Sequence, residues 1–217
     1  MALQSTLTGP RPVLAPMMDD AVTILRSDQF IVGPSAVAGV ALRDETGKPT
    51  DFPLLMVQPT LANRAAPPNG VGVRSIEGDL VLSSAGRTLF RSEYIWYRMT
   101  SSFSEPDDAN KADRLIFESA AQIAPFDLPG GGTWSHELLL IPRETWAAVS
   151  WAAFDERVSQ GCSQHCQGEL TLRVRLDNGT LLTEPCTFSI DKNVLAHLRG
   201  TERRYFTSPE CFSRIHG

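Results

Sequence analysis

The sequence has no long apolar run, no cluster of basic charge and no internal repeat. None of its 217 residues belongs to a segment approaching the ~20 consecutive apolar residues that a membrane-spanning helix requires. Lys and Arg number 20 against 25 Asp and Glu, which gives a formal net charge of −5. Binding to nucleic acid requires a clustered basic surface. We therefore expect neither a transmembrane segment nor a nucleic-acid partner.

The start of the chain also lacks the cationic head and apolar core of a signal peptide. Residues 1–18 contain Pro10, Pro12 and Pro16, which predicts a flexible, proline-rich lead ahead of a single domain over residues 19–217. Two locations fit this start. One is the cytoplasm, and the other is an extracytoplasmic compartment, if an export signal or anchor has been removed.

Most of the middle of the chain alternates apolar and polar residues, which is typical of half-buried strands. Ile76, Leu80 and Leu82 share one face of such a strand. The turn "SSAGR" follows it, so a hairpin is predicted between residues 73–83 and 87–99.

Four further stretches predict strands: "AVTILRS", "AVAGVALR", "LLMVQPTL" and "TWSHELLLIP". The third contains Pro59, which predicts a position at a sheet edge or a bulge because proline has no N–H to donate.

Two stretches have a helical pattern instead. "PRETWAAVSWAAFDERVSQG" has apolar residues at helical spacing, ends in Gly161 and predicts the main helix near residues 143–158. Residues 191–200 predict a short C-terminal helix with Asp191 as its N-cap. We therefore expect a mainly β fold, an antiparallel β-sandwich with one main helix and a short C-terminal helix.

Two segments, "LMVQPTLANRAAPPNGVGVRSIEGDLVL" and "IAPFDLPGGGTWSHELLL", resemble uncharacterised bacterial immunoglobulin-like sandwich domains. The resemblance covers residues 54–141. It implies an immunoglobulin-like sandwich and brings no catalytic residues with it.

The chain has four cysteines, which allow three disulfide connectivities: Cys162, Cys166, Cys186 and Cys211. Cys186 lies in a predicted hairpin whose turn is Asn178–Gly179. A strict two-residue loop would place the apolar sets of the two strands on opposite faces, so we predict a three-residue loop, 178–180. This loop sets Cys186 opposite Leu172, as a core-facing thiol out of reach of Cys166.

The segment "SQGCSQHCQGE" is the strongest chemical signal, with Cys162, His165 and Cys166 in one loop. The longer string "GCSQHCQGELTLR" resembles the binuclear copper loop of cytochrome oxidase subunit II, which implies copper held by thiolate and imidazole ligands. This sequence departs from that family because Leu170 and Arg173 stand where its histidine and methionine ligands belong.

Other interpretations of the same loop remain open. A zinc site would use Cys162, His165, Cys166 and a fourth ligand, but structural zinc usually takes paired ligands on both sides, and one pair is visible. We favour an exposed connection over residues 159–168 between a helix and a strand. In it, the two cysteines are free or form a local disulfide, without a bound metal or other cofactor.

Functional residues are otherwise sparse. No histidine has a nucleophile or carboxylate at a spacing that suggests a catalytic triad, so no catalytic residue is assigned. The tryptophans at 96, 134, 146 and 151 are expected to pack in the core rather than line a ligand groove. We expect a non-catalytic module for binding or assembly, with a protein or small-molecule partner of unknown identity. The alternative is a metal-binding or redox protein that uses the cysteine loop.

Overall fold

The structure, a computed structural model, describes residues 12–15, 22–27, 30–32, 40–41, 51–100, 102–104, 115–118, 121–144, 149–193 and 205–208. Side chains are described within 22–27, 51–99, 123–144 and 149–193. Across these ranges the protein is mainly β, with one α-helix, as the sequence predicts.

The strands, in chain order, are β1 Pro12–Ala15, β2 Val22–Arg26, β3 Phe30–Val32, β4 Val40–Ala41, β5 Pro53–Val57, β6 Thr60–Asn63, β7 Val71–Ser84, β8 Arg87–Thr100, β9 Ser102–Ser104, β10 Leu115–Glu118, β11 Ala121–Gln122, β12 Phe126–Leu128, β13 Thr133–Ser135, β14 Glu137–Pro142, β15 His165–Leu176, β16 Leu181–Asp191 and β17 Tyr205–Ser208. The helix α1 spans Trp151–Gly161. Strand β1 lies within the predicted proline-rich lead and pairs with β6.

Ten strands form the largest sheet, in the order β16-β15-β7-β8-β14-β5-β2-β17, with β11 beside β8 and β12 beside β7. All of its pairings are antiparallel. The sheet curls into a half-barrel, and its end strands β16 and β17 contact each other. A second sheet has the order β1-β6-β13, and a third has the order β4-β3-β10-β9, with β3 and β10 parallel.

The hairpin of β7 and β8 confirms the prediction from alternation. Ser84 pairs with Arg87 across a two-residue turn. Ala85 and Gly86 both have positive φ, 49° and 76°, which matches the twist of antiparallel strands. The inward residues of β7 are buried and join the core, as the period of two requires.

The hairpin of β15 and β16 has the predicted faces but a different register. The Leu176 N–H donates to the Thr180 carbonyl at 2.9 Å, so the three-residue loop is 177–179 rather than 178–180. Gly179 takes the left-handed position of that loop, with φ 83°. Cys186 therefore faces Leu170, not Leu172. A shift of two residues keeps every side chain on its predicted face, which is why the pattern could not reveal the error.

Burial divides the large sheet into two regions. Strands β7, β8, β15 and β16, which we call the alternating half, expose one face and bury the other. Strands β2, β5 and β14, which we call the doubly buried half, have neighbouring residues buried on both faces, as in the uninterrupted burial of Pro53–Val57. In β5, Leu55 joins the main core whereas Leu54 is buried on the opposite face.

Two strands predicted as continuous are each divided. "LLMVQPTL" breaks at Gln58–Pro59 into β5 and β6, which belong to different sheets. "TWSHELLLIP" breaks at His136 into β13 and β14, which also separate. Pro59 thus marks a change of sheet, because its ring prevents the ladder from continuing.

The helix begins later than predicted, at Trp151 rather than near residue 143. Ser150 is its N-cap, and the Ser150 hydroxyl accepts a hydrogen bond from the Ala153 N–H at 3.2 Å. Trp151, Phe154 and Val158 form the buried face of α1. Phe154 meets Phe90 of β8 edge-on, with ring centroids 4.9 Å apart.

The predicted C-terminal helix is described only at its start. The Asn193 N–H donates to the Asp191 carboxylate at 2.7 Å, and residues 192–193 are helical. The rest of that prediction lies outside the described residues. Where the chain is described, no helix combines the length and the apolar character needed to cross a membrane.

Candidate functional site

The cysteine loop joins the end of α1 to the start of β15. The sulfurs of Cys162 and Cys166 lie at disulfide distance, with their Cα atoms 5.5 Å apart. Cys162 caps the helix, because its N–H donates to the Val158 carbonyl at 2.8 Å. Cys166 is the second residue of β15. The local disulfide is therefore the arrangement that the structure contains.

The predicted exposed connection over residues 159–168 is wrong in extent. Only Cys162, Ser163 and Gln164 lie between the helix and the strand. The side chains of both cysteines are buried, with Cys162 1% and Cys166 0% exposed. Cys166 is buried because it takes an inward position of β15, where alternate residues face the core.

His165 does not converge with the two cysteines. Its side chain is 63% exposed on the outer face, and its Nδ1 lies 3.7 Å from the Asp191 carboxylate. Adjacent residues of a strand point to opposite faces, so His165 points away from the Cys166 sulfur. Among the described residues, no group of three or more His, Cys, Asp or Glu side chains could hold a metal ion. Leu170, where the copper family has histidine, is fully buried.

The two glycines that flank the loop make room for neighbouring side chains. A Cβ on Gly168 would collide with the ring of Phe188, its partner across the β15–β16 pair. A Cβ on Gly161 would collide with Leu89 of β8. Both positions need glycine because a side chain there would overlap with its neighbours.

An open groove of about 490 Å³ lies beside this loop. Its walls come from three segments: the β7–β8 turn at 83–86, the start of β15 at 165–167, and the end of β16 at 187–189. Ser83, Gln167 and Ser189 form one row across the three strands, because Gln167 pairs with Ser83 on one side and Ser189 on the other.

The lining of the groove is polar without fixed charge. It consists of serine, threonine and glutamine side chains, small turn residues, Phe188, Cys166 and the imidazole of His165. His165 is the one ionisable side chain in that lining. Hydroxyl and amide groups can both donate and accept hydrogen bonds. The groove can therefore hold a ligand with mixed donors and acceptors.

Ion pairs occupy the neighbouring part of the outer face. Arg91 binds Asp79 at 2.8 Å, and Arg143 binds Glu77 at 3.0 Å. The hydrogen bond and charge of Asp79 raise the pKa of the Arg91 guanidinium. The outer face of the alternating half thus passes from a charged region to the uncharged groove.

Cys186 lies near the groove but is not the thiol predicted from the sequence. It is fully buried on the core face, as predicted, yet it is disulfide-bonded. Among the described residues there is no free cysteine.

Burial raises the pKa of two groups on the inner face. The Tyr94 hydroxyl is buried and has no hydrogen-bond partner, and burial raises the pKa of Tyr94. Glu184, on the inward-facing side of β16, also has its pKa raised by burial. Both belong to one row across the sheet, in which Tyr94 pairs with Gly78, and Leu172 lies between Gly78 and Glu184.

The tryptophans divide between two environments. Trp151 packs in the core with Phe154, as predicted. Trp96 and Trp134 are only partly buried and flank Phe126, with Trp134 stacked on that ring at 4.7 Å. Trp146 lies outside the described residues.

No protein-family model matches the chain, and no similar curated protein was found.

Proposed function

We propose that this protein is a non-catalytic binding module and that its ligand occupies the groove formed by residues 83–86, 165–167 and 187–189. The groove itself supports this proposal. Its volume of about 490 Å³ is in the range of small-molecule sites, roughly 300–1,000 Å³.

The lining favours a neutral, polar ligand. A ligand with a full charge would lose hydration on entering and would find no side chain of fixed opposite charge. Hydroxyl and amide groups of a ligand can instead replace their hydrogen bonds to water with hydrogen bonds to Ser83, Gln167 and Ser189. A sugar or an uncharged peptide segment has this combination of groups.

The walls of the groove are held in place before any ligand binds. The β7–β8 turn has two residues, and the Cys162–Cys166 disulfide fixes the start of β15. The Lys192 N–H donates to the Gln164 carbonyl at 2.9 Å, which ties the end of β16 to the same loop. Walls that are already ordered lose little conformational entropy on binding.

The immunoglobulin-like assignment belongs to this proposal. It is supported by the antiparallel hairpins and by the burial of β2, β5 and β14 on both faces, which a second layer would explain. Disulfides form in oxidising compartments, so the bonded cysteines favour an extracytoplasmic location.

A metal or redox role for the loop is the alternative proposal. The presence of a cysteine pair supports it. Against it, the sulfurs are bonded to each other and shielded from solvent, and His165 faces the opposite side. Metal analysis of the purified protein, with thiols counted before and after denaturation, separates the two proposals.

The test is an amide-shift titration by NMR with N-acetylglucosamine and an uncharged, blocked Ser-Gly-Ser tripeptide, with glucose 6-phosphate as the charged comparison. We expect saturable shifts confined to the three groove segments with at least one neutral probe. Gln167→Ala should weaken that binding by about fivefold, the effect of losing one hydrogen bond of about 1 kcal/mol.

Gln160→Ala is the matched control, because Gln160 is an exposed glutamine on α1 outside the groove. It should leave the affinity unchanged. The proposal is wrong if the neutral probes cause no shifts in the groove, if the shifts cluster around Trp134, or if the two glutamine variants behave alike.

A further inference from the structure

The chain contains two Asn–Gly pairs, Asn69–Gly70 and Asn178–Gly179. An asparagine that precedes glycine is prone to deamidation, because glycine has no side chain to hinder attack by its own backbone nitrogen. All four residues are exposed, so access to solvent does not distinguish the two pairs. We propose that Asn69 is a modification site, where asparagine converts spontaneously to aspartate and isoaspartate, and that the fold protects Asn178 from the same reaction.

The reaction uses only the chain and water. The backbone nitrogen of Gly70 attacks the side-chain carbonyl carbon of Asn69, the bond to the side-chain nitrogen breaks, and ammonia leaves with the proton of the Gly70 N–H. A succinimide ring results. Water then opens the ring at either carbonyl. Opening at the former side-chain carbonyl gives aspartate, and opening at the backbone carbonyl gives isoaspartate, in which the main chain runs through the former side chain.

The hairpin turn at Asn178–Gly179 opposes this reaction. The Gly179 N–H donates to the Leu176 carbonyl at 3.1 Å, and the Asn178 Oδ1 accepts from the Thr180 N–H at 2.9 Å. The attacking nitrogen and the side chain under attack are therefore both held in hydrogen bonds. Both bonds have to break before the ring can close, so the turn lowers the rate of deamidation.

The loop at Asn69–Gly70 leaves the same two groups available. Among the described residues, none accepts a hydrogen bond from the Gly70 N–H, and none bonds to the Asn69 side chain. The backbone of Asn69 is nevertheless fixed, because its N–H donates to the Ala66 carbonyl at 3.1 Å and its carbonyl accepts from the Asn63 Nδ2 at 3.0 Å. The reactive groups are thus exposed on a loop that is tied to the fold at one residue.

That tie also joins two sheets, so the modification has a structural consequence. Asn63 is buried at the end of β6, and its Nδ2 donates to the carbonyls of Asn69 and Leu128 at 3.0 and 3.1 Å. Leu128 ends β12 of the ten-stranded sheet. Isoaspartate adds a methylene group to the main chain and turns the carbonyl of residue 69 into a free carboxylate. The geometry that presents this carbonyl to Asn63 is then lost, whereas Asn69→Asp retains it.

The first experiment follows both pairs in one sample of the full chain. The protein is kept in mildly alkaline buffer, and peptide mapping by mass spectrometry measures deamidation of Asn69 and Asn178 over time. We expect Asn69 to react at least about tenfold faster, because two hydrogen bonds of about 1 kcal/mol each protect Asn178. In concentrated urea the two rates should converge. Equal rates in the folded protein, or a difference that persists in urea, overturn the proposal.

Gly70→Ala tests which nitrogen attacks. A Cβ at Gly70 makes only ordinary contacts, the nearest with the Leu128 carbonyl at 3.7 Å, and Gly70 is not among the glycines with positive φ, so the variant should fold. The added methyl group hinders the attack, so deamidation of Asn69 should slow several-fold while that of Asn178 stays the same. An unchanged rate at Asn69 contradicts the mechanism.

The last experiment measures the effect on the contact between the sheets. Ala65 and Gly131 both donate their N–H groups to Asn63, at 3.1 and 2.8 Å, so their amide hydrogen exchange reports on it. The isoaspartate form, separated by ion exchange, is compared with fresh protein and with Asn69→Asp. We expect exchange at both amides to rise at least about fivefold in the isoaspartate form only, as for the loss of one hydrogen bond. Equal exchange in all three samples overturns the structural consequence.

Discussion

The alternating half and the doubly buried half of the large sheet are built from different kinds of sequence. In the alternating half, "SIEGDLVLSS" and "ELTLRVRL" place apolar residues at every second position, because only one face meets the core. In the doubly buried half, "VTILR" and "PLLMV" are runs without a period, because both faces are covered. The sequence of a strand with one face in solvent therefore indicates which residues face the core. The sequence of a strand buried on both faces does not.

The two halves also differ in what they can do. A face that is not needed for packing can carry ion pairs and a polar groove, and both lie on the alternating half. In the doubly buried half, both faces carry packed side chains instead. Substitutions that probe the two faces of each half test this division.

The largest effect on stability is expected in β5, which is buried on both faces. Leu54→Ala and Leu55→Ala should each lower the free energy of unfolding by about 2–5 kcal/mol, because both side chains are completely buried on opposite faces of β5. In the alternating half, Leu80→Ala should have a similar cost and its neighbour Val81→Ala less than about 1 kcal/mol. Denaturant unfolding measures all four. The comparison fails if Leu54→Ala is as mild as Val81→Ala.

Gly168→Ala should destabilise the alternating half by about 1–3 kcal/mol, because the added methyl group meets the Phe188 ring across the strand pair. Adding Phe188→Leu should recover part of this loss, since a smaller side chain relieves the overlap. A double-mutant cycle with Tm as the readout checks the coupling. Additive effects of the two changes would mean that the ring is not the obstacle.

Tyr94→Phe should leave stability unchanged or raise it by up to about 1 kcal/mol. The hydroxyl that it removes is buried without a hydrogen-bond partner, so the folded state gains nothing from keeping it. Urea unfolding is the measurement, and Tyr97→Phe on the partly exposed neighbouring position is the control. A loss above about 1 kcal/mol would indicate that an ordered water or ligand binds the hydroxyl.

The smallest effect is expected at Glu184. Burial raises the pKa of this carboxyl above its ordinary 4.5, so the folded state disfavours the charged form. Well below pH 4.5 the carboxyl is protonated in both the folded and the unfolded chain, so it does not destabilise the fold. As pH rises through the raised pKa, the buried negative charge lowers the free energy of unfolding. Glu184→Gln should therefore raise Tm slightly at pH 7 and not at pH 3. A difference that persists at pH 3 would assign the effect to packing.

The sequence was most informative where local chemistry and periodicity agreed. Residues 73–99 were predicted as a hairpin because an alternating strand is followed by a turn that tolerates positive φ at Ala85 and Gly86. The sequence predicts a helix that begins too early because apolar residues before Ser150 continue the helical spacing, whereas the Ser150 hydroxyl caps the helix that forms. Helix propensity and apolar spacing alone do not locate the first residue of a helix.

The candidate site could not be predicted in the same way. Ser83, Gln167 and Ser189 are ordinary polar residues in the sequence, and only the register of β7, β15 and β16 brings them together. The signal available was that each lies near a strand end on a solvent-facing position. The cysteine spacing identifies the loop at 162–166, but the open surface lies in the groove beside that loop and not at the buried sulfurs.

The pairing of β2 with β17 has a consequence for synthesis of the chain. Leu25 pairs with Tyr205, which lies much later in the chain, and no strand among the described residues replaces β17 at that edge. While the ribosome is still adding residues, β2 has an apolar edge with unpaired backbone groups, which is prone to wrong pairing. The hairpins can form as soon as they emerge, because their strands are adjacent in sequence. The large sheet is therefore completed only after β17 has been synthesised, and a chain interrupted shortly before β17 should aggregate.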